Sequence, residues 1–159
     1  MYYPYFRGKQ YELITIRENA NLLSDAGFIP IIEPVKESLS GLSRALNALV
    51  EANGNAILIV NPHHGDHTED SEAINNLLVN EFADNKNIDV GIILTDELSA
   101  AEAIAKSQSY NGRNTTFIHS GYTDAPALVA ALGDNLEDSR HVFLSNESGK
   151  LYRKHFRNA

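Results

Sequence analysis

Five polar positions recur along the chain at a spacing that could build one site. They are Glu33, Asn61, Asp96, His119 and the pair Ser145-Asn146, with steps of 28, 35, 23 and 26 residues. Two carboxylates and an imidazole make up the chemistry. Glu33 and Asp96 could divide general-acid and general-base roles or hold a hard divalent cation, while His119 could shuttle a proton or ligate a metal. Asn61 and Asn146 would bind and orient a ligand. Strands also end in polar residues simply where the chain meets water, so this bland reading stands beside the functional one.

The densest cluster of metal-ligating types is Asn61-Pro62-His63-His64-Gly65-Asp66-His67. His64-x-Asp66-His67 matches the second half of the H-x-H-x-D-H motif of metallo-β-lactamases, where metal-bound water is the nucleophile. His64, Asp66 and His67 are therefore the candidate metal ligands. The first histidine of that motif would fall on Pro62, and only one helix and one strand precede the loop, whereas that fold needs antiparallel strands there. Adventitious zinc or nickel binding by neighbouring histidines fits the pattern better than a metallohydrolase. No G-x-x-x-x-G-K-[ST], G-x-G-x-x-G or G-x-S-x-G is present.

These positions need elements to hold them. Residues 9–23 carry apolar side chains at helical spacing; an apolar strand over 28–32 follows, with Pro30 at its start or on an edge because it has no backbone donor. Leu42, Ala45, Leu46, Leu49 and Val50 define one face of a helix over 40–52, stopped by Asn53-Gly54. Ala56-Ile57-Leu58-Ile59-Val60 is apolar throughout, as a strand buried on both faces must be. A helix over 71–82, a strand over 90–94, a helix over 100–108 capped by Ser99, a strand over 115–118, a helix over 127–132 after Pro126 and a strand over 141–144 complete the series. The expectation is an α/β fold of βα repeats with a mainly parallel sheet of about five strands, all in a single domain over 1–159. A partial TIM-like barrel is favoured over an open doubly wound sheet. In either, the strand C-terminal ends form a common rim.

Composition narrows the function. With 21 acidic and 13 basic residues the net charge is −8, so nucleic acid is not favoured as a partner. The local exception is the basic tail, Arg140, Lys150, Arg153, Lys154 and Arg157, read as a solvated face. Cysteine is absent, which excludes disulfides, thiolate metal sites and a cysteine nucleophile. No secretory signal opens the chain and no apolar run approaches the ~20 residues that span a bilayer. The expectation is a cytoplasmic protein with no membrane partner. Tyr2, Tyr3, Tyr5 and Phe6 either pack the bottom of the sheet or form an interface patch.

Three stretches carry a resemblance: Tyr3-Pro4-Tyr5-x-Arg7-Gly8-Lys9-Gln10-Tyr11-Glu12, Ile29-Pro30-Ile31-Ile32-Glu33-Pro34 and Asn61-Pro62-x-x-Gly65-Asp66. In this order they resemble the phage beta-protein family and its uncharacterised bacterial relatives, often carried on mobile or defence-type loci. The resemblance covers the whole chain, and its members run on past the equivalent of Arg157-Asn158-Ala159. It implies either an N-terminal part of a longer protein or a truncated homologue, and a TIM-like barrel of about eight strands in the full-length members. It shares Asn61, Pro62, Gly65 and Asp66 without requiring His63, His64 or His67, and it implies no particular reaction. Arg7 and Lys9, in the family-like opening, could supply cations for an anionic ligand.

Two function classes follow. One is a binding or accessory protein whose rim takes a protein partner, a second copy or a small anion without turnover. The other is a metal-assisted hydrolase of a phosphoester-like substrate that works through Glu33, Asp96 and His119 with a divalent metal.

Overall fold

A computed structural model describes residues 1–110, 112–136, 138–144 and 148–156. It is an α/β fold of βα repeats, in two compact units, Met1–Gly91 and Ile92–Ala159.

In the first unit the strands are β1 (Tyr5–Phe6), β2 (Ile31–Ile32), β3 (Ala56–Ile59) and the opening residues 88–91 of β4 (Ile88–Leu94). All pair in parallel and in chain order, with Tyr5 opposite Ile31, Ile31 opposite Ile57 and Ala56 opposite Ile88. A doubly wound sheet reverses its strand order part-way; this order has no reversal and is the connectivity of a barrel-type βα succession. β3 is buried along its whole length, as its unbroken apolar run requires.

The helices of this unit are α1 (Gln10–Glu18), α2 (Ala20–Asp25), α3 (Ser40–Glu51) and α4 (Glu72–Glu81). α1 packs on α3, burying Leu13 and Ile16 from one and Leu42, Ala45, Leu46 and Leu49 from the other. α3 stops where expected. Asn53 takes φ +54 and the Gly54 amide donates back to the Leu49 carbonyl at 2.8 Å.

The expected fold of βα repeats with a parallel sheet of about five strands is the one that forms; among the described residues the strands number six, the one not read from the sequence being β1, two residues long in an aromatic stretch without a period. One expectation is corrected here. The single helix over 9–23 is two helices, broken at Asn19, whose side-chain amide donates to the Thr15 carbonyl at 2.8 Å and competes with the helical ladder. Pro30 sits directly before β2, where its missing donor costs nothing and its carbonyl accepts from the Ile57 amide at 2.9 Å.

The second unit holds residues 92–94 of β4, then α5 (Ala100–Gln108), β5 (Thr115–His119), α6 (Ala125–Leu132), a 3-10 turn (Gly133–Leu136), β6 (Arg140–Phe143) and α7 (Lys150–Lys154). β5 and β6 pair in parallel, with His119 opposite Phe143, and the Ser120 amide donates to Leu94 at 2.9 Å. Ser99 caps α5 reciprocally with Glu102, and Asp124 caps α6 through the Ala127 amide at 3.1 Å. Among the described residues, no helix is long and apolar enough to cross a membrane.

Candidate functional site

Glu33 follows β2 directly and is completely buried. A buried carboxylate demands donors, and the chain supplies four. Oε2 accepts from the Tyr5 hydroxyl at 2.8 Å; Oε1 accepts from the backbone amides of His63 at 2.8 Å and His64 at 2.9 Å and lies 3.1 Å from His64 Nδ1. Glu33 is thus the fastening point of the loop after β3.

That loop is stapled to the exit of β2 at further points. The Asp66 amide donates to the Val35 carbonyl, and Asp66 Oδ2 accepts from the Glu37 amide at 2.8 Å. His67, buried, places Nε2 2.9 Å from the Lys36 carbonyl. Gly65 at φ +90 brings the two segments so close that a Cβ there would lie 2.3 Å from the Val35 carbonyl oxygen. Gly8 makes a similar approach from the β1 side, where a Cβ would lie 2.7 Å from the Glu33 carbonyl oxygen. Segments 5–8, 33–37 and 63–67 therefore meet at the exit of β2, through the Glu33 carboxylate and through the backbone of residues 33–37.

This interlock presents cations. A hollow of about 470 Å³ is lined by Arg7, Lys9, Tyr11, Lys36 and His64 together with Gln10, Val35 and Gly65. A second, of about 490 Å³, shares Gln10 and Lys36 with it and runs between α1 and α3. Arg17 and Arg44 add two guanidinium groups there, beside Leu13, Ile14, Glu37 and Asp66. Five of the six Lys and Arg residues of positions 1–91 thus line two adjoining hollows. Among the described residues, no carboxylate lies within ion-pair distance of Arg7, Lys9, Lys36 or Arg44, whereas Arg17 pairs with Glu18 at 3.0 Å.

Arg7 and Lys9, the two cations singled out from the sequence, line the first hollow. Lys36, Arg17 and Arg44 were missed. Lys36 lies three residues past Glu33 at a strand exit, a signal the strand-end rule already contained. Arg17 and Arg44 follow Leu13 and Ser40 by one helical turn, so only the α1–α3 packing brings them to the same groove.

The candidate metal set is not assembled. His64 turns to Glu33, Asp66 to the Glu37 amide and His67 to the Lys36 carbonyl. Among the described residues, no group of three or more histidine, aspartate or glutamate side chains is arranged to hold a metal ion. The spacing put ligand types in one loop, but each side chain is spent on a different partner, a carboxylate for His64 and backbone groups for Asp66 and His67.

His119, the last residue of β5, is completely buried rather than standing on an open rim. Its ring stacks on Phe143 at 4.3 Å and meets Phe156 edge-on at 4.7 Å. Nδ1 pairs with the Tyr152 hydroxyl, Nε2 lies 2.9 Å from His141 Nδ1, and His141 Nε2 lies 3.1 Å from Ser139 Oγ. Burial, reinforced by the neighbouring imidazole, pushes the His119 pKa down to about 3, and burial lowers that of His141 to about 4. Both rings are neutral near pH 7, joined in a chain of four hydrogen-bonding side chains. Part of the basic tail is thus a short helix, α7, docked through Tyr152.

Asp96 is exposed in the turn before α5, and Asn61 is half-buried just past β3. Glu33 and Asn61 belong to the first unit, Asp96 and His119 to the second. Ser145, Asn146 and Arg157 to Ala159 lie outside the described residues.

No protein-family model, curated protein or solved structure matches this chain.

Proposed function

We propose that this protein is a binding protein for a small anionic ligand, held without turnover in the cationic hollow of the first unit. What carries the reading is the concentration of Arg7, Lys9, Lys36, Arg17 and Arg44 in two adjoining hollows of a chain whose net charge is −8. Like charges gathered against the overall balance repel one another, and an anion relieves that repulsion. The buried interlock around Glu33 supplies the rigid footing that such a site needs. The catalytic alternative lacks comparable support, since the oxygens of Glu33 and both ring nitrogens of His119 already have partners. A cytoplasmic accessory role in a mobile-element or defence-type locus, with the phage beta proteins as relatives, belongs to the same proposal.

Isothermal titration with pyrophosphate tests it. Binding is expected at low salt, weakening as salt rises. Arg7→Gln, Lys9→Gln and Lys36→Gln should each weaken it by about tenfold, the loss of one charge-assisted hydrogen bond. Binding indifferent to all three substitutions, or no binding, would refute the reading.

A further inference from the structure

Resting on that anion-binding reading, we infer that the ligand is a nucleoside phosphate. Its phosphate lies in the hollow of Arg7, Lys9 and Lys36, and its nucleoside lies in the adjoining hollow between α1 and α3.

The two hollows differ in character. The first presents cations with an aromatic and an imidazole, Tyr11 and His64, on its rim. Tyr11 is 81% exposed, so its ring is open to a ligand. The second has an apolar wall, Leu13 and Ile14, two carboxylates, Glu37 and Asp66, and two guanidinium groups, Arg17 and Arg44. Carboxylates beside the groove repel a second phosphate but accept hydrogen bonds from hydroxyl and amino groups. Asp66 commits Oδ2 to the Glu37 amide, which leaves Oδ1 for a donor. The apolar wall covers a flat, weakly hydrated surface, and a guanidinium plane stacks on an aromatic ring. The second half of the ligand is therefore uncharged, rich in hydroxyl or amino donors, and flat and apolar on one side. A ribose carrying a base meets all three conditions, whereas inorganic phosphate and sugar phosphates leave the wall bare. Lys36, shared by both hollows, sits at the junction where phosphate meets sugar. The volume of about 490 Å³ falls within the roughly 300–1,000 Å³ of small-molecule sites.

The test is calorimetric titration of the full chain with inorganic phosphate, ribose phosphate, adenosine monophosphate and cytidine monophosphate. At least one nucleoside monophosphate should bind about tenfold or more tightly than inorganic phosphate and ribose phosphate. Glu37→Gln, at an exposed position, should remove that margin and leave the affinity for inorganic phosphate unchanged. Circular dichroism checks that the variant folds. Nucleoside monophosphates binding no tighter than inorganic phosphate would overturn the nucleoside inference and leave the anion reading intact. Failure of every phosphate to bind overturns both.

Discussion

The Tyr5 hydroxyl donates to Oε2 of Glu33 at 2.8 Å, tying β1 to the exit of β2 across 28 residues of sequence. The carboxylate's other oxygen holds the amides of His63 and His64, so one buried group fastens three segments. Tyr5→Phe removes a single donor to a charged acceptor and should cost about 1.5–3 kcal/mol of stability. Glu33→Ala strands two backbone amides as well and should cost ~3–5 kcal/mol. Urea unfolding of the single and double variants measures both. The double variant should lose clearly less than the sum of the singles, because the second change has no partner left to remove. Strict additivity would show that the two groups do not interact.

Gly65 provides a sharper test of the interlock. At φ +90 any side chain is strained, and here the Cβ would also lie 2.3 Å from the Val35 carbonyl oxygen. Gly65→Ala should therefore cost at least ~2 kcal/mol and weaken pyrophosphate binding, since Lys36 is displaced with the strand exit. Gly121 at φ +77 has nothing within 4 Å of its Cβ position. Gly121→Ala thus carries the backbone strain alone and is the control. Equal losses in the two variants would mean that the close approach of the loop to Val35 contributes nothing.

Much of this arrangement was legible in the residues. The apolar run 56–60 and the stop at Asn53-Gly54 specify their elements locally, through burial on both faces and a left-handed turn. The parallel βα succession follows from the alternation of such segments. β1 was not legible, because two residues are too few to show a period and Tyr5 is held by β2, not by its neighbours in sequence. Glu33 was singled out as a strand-end carboxylate, yet nothing local indicates that its oxygens turn to the amides of residues 63 and 64. That pairing depends on strand register. His119 shows the same limit, since Tyr152 and Phe156, which cover it, lie over 30 residues away. The histidine loop misled because metal-ligating residue types also serve as hydrogen-bond partners for backbone.

The dispersal of His64, Asp66 and His67 onto separate partners gives a prediction about metal. Treatment with a chelator should leave the melting temperature unchanged, and added zinc should bind weakly and without raising it. His67→Ala should nonetheless destabilise the protein by about 1–3 kcal/mol, because the buried imidazole and its hydrogen bond to the Lys36 carbonyl are both lost. Thermal melts with and without chelator test both points. A fall of several degrees on chelation would mean that these residues do assemble around an ion.

The His119–His141 pair predicts a pH dependence whose sign follows from burial. Both native pKa values lie below the ordinary 6.5, near 3 and 4, so the native state resists protons that the unfolded chain accepts. Their contribution to stability is complete above about pH 6.5. It is lost as pH falls, down to about 4 for His141 and about 3 for His119. The slope in that window approaches about 1.4 kcal/mol per pH unit for each ring. Protonating both rings would also set two N–H groups against each other across the 2.9 Å contact, forcing α7 and its Tyr152 away from β5. His141→Gln keeps hydrogen-bonding capacity toward His119 and Ser139 but does not titrate. Urea unfolding between pH 6 and 4.5 should therefore show a slope shallower by about 1.4 kcal/mol per pH unit in this variant. An unchanged slope would mean that the pH dependence comes from other groups and that the buried pair takes up protons as readily in the native state as in the unfolded one.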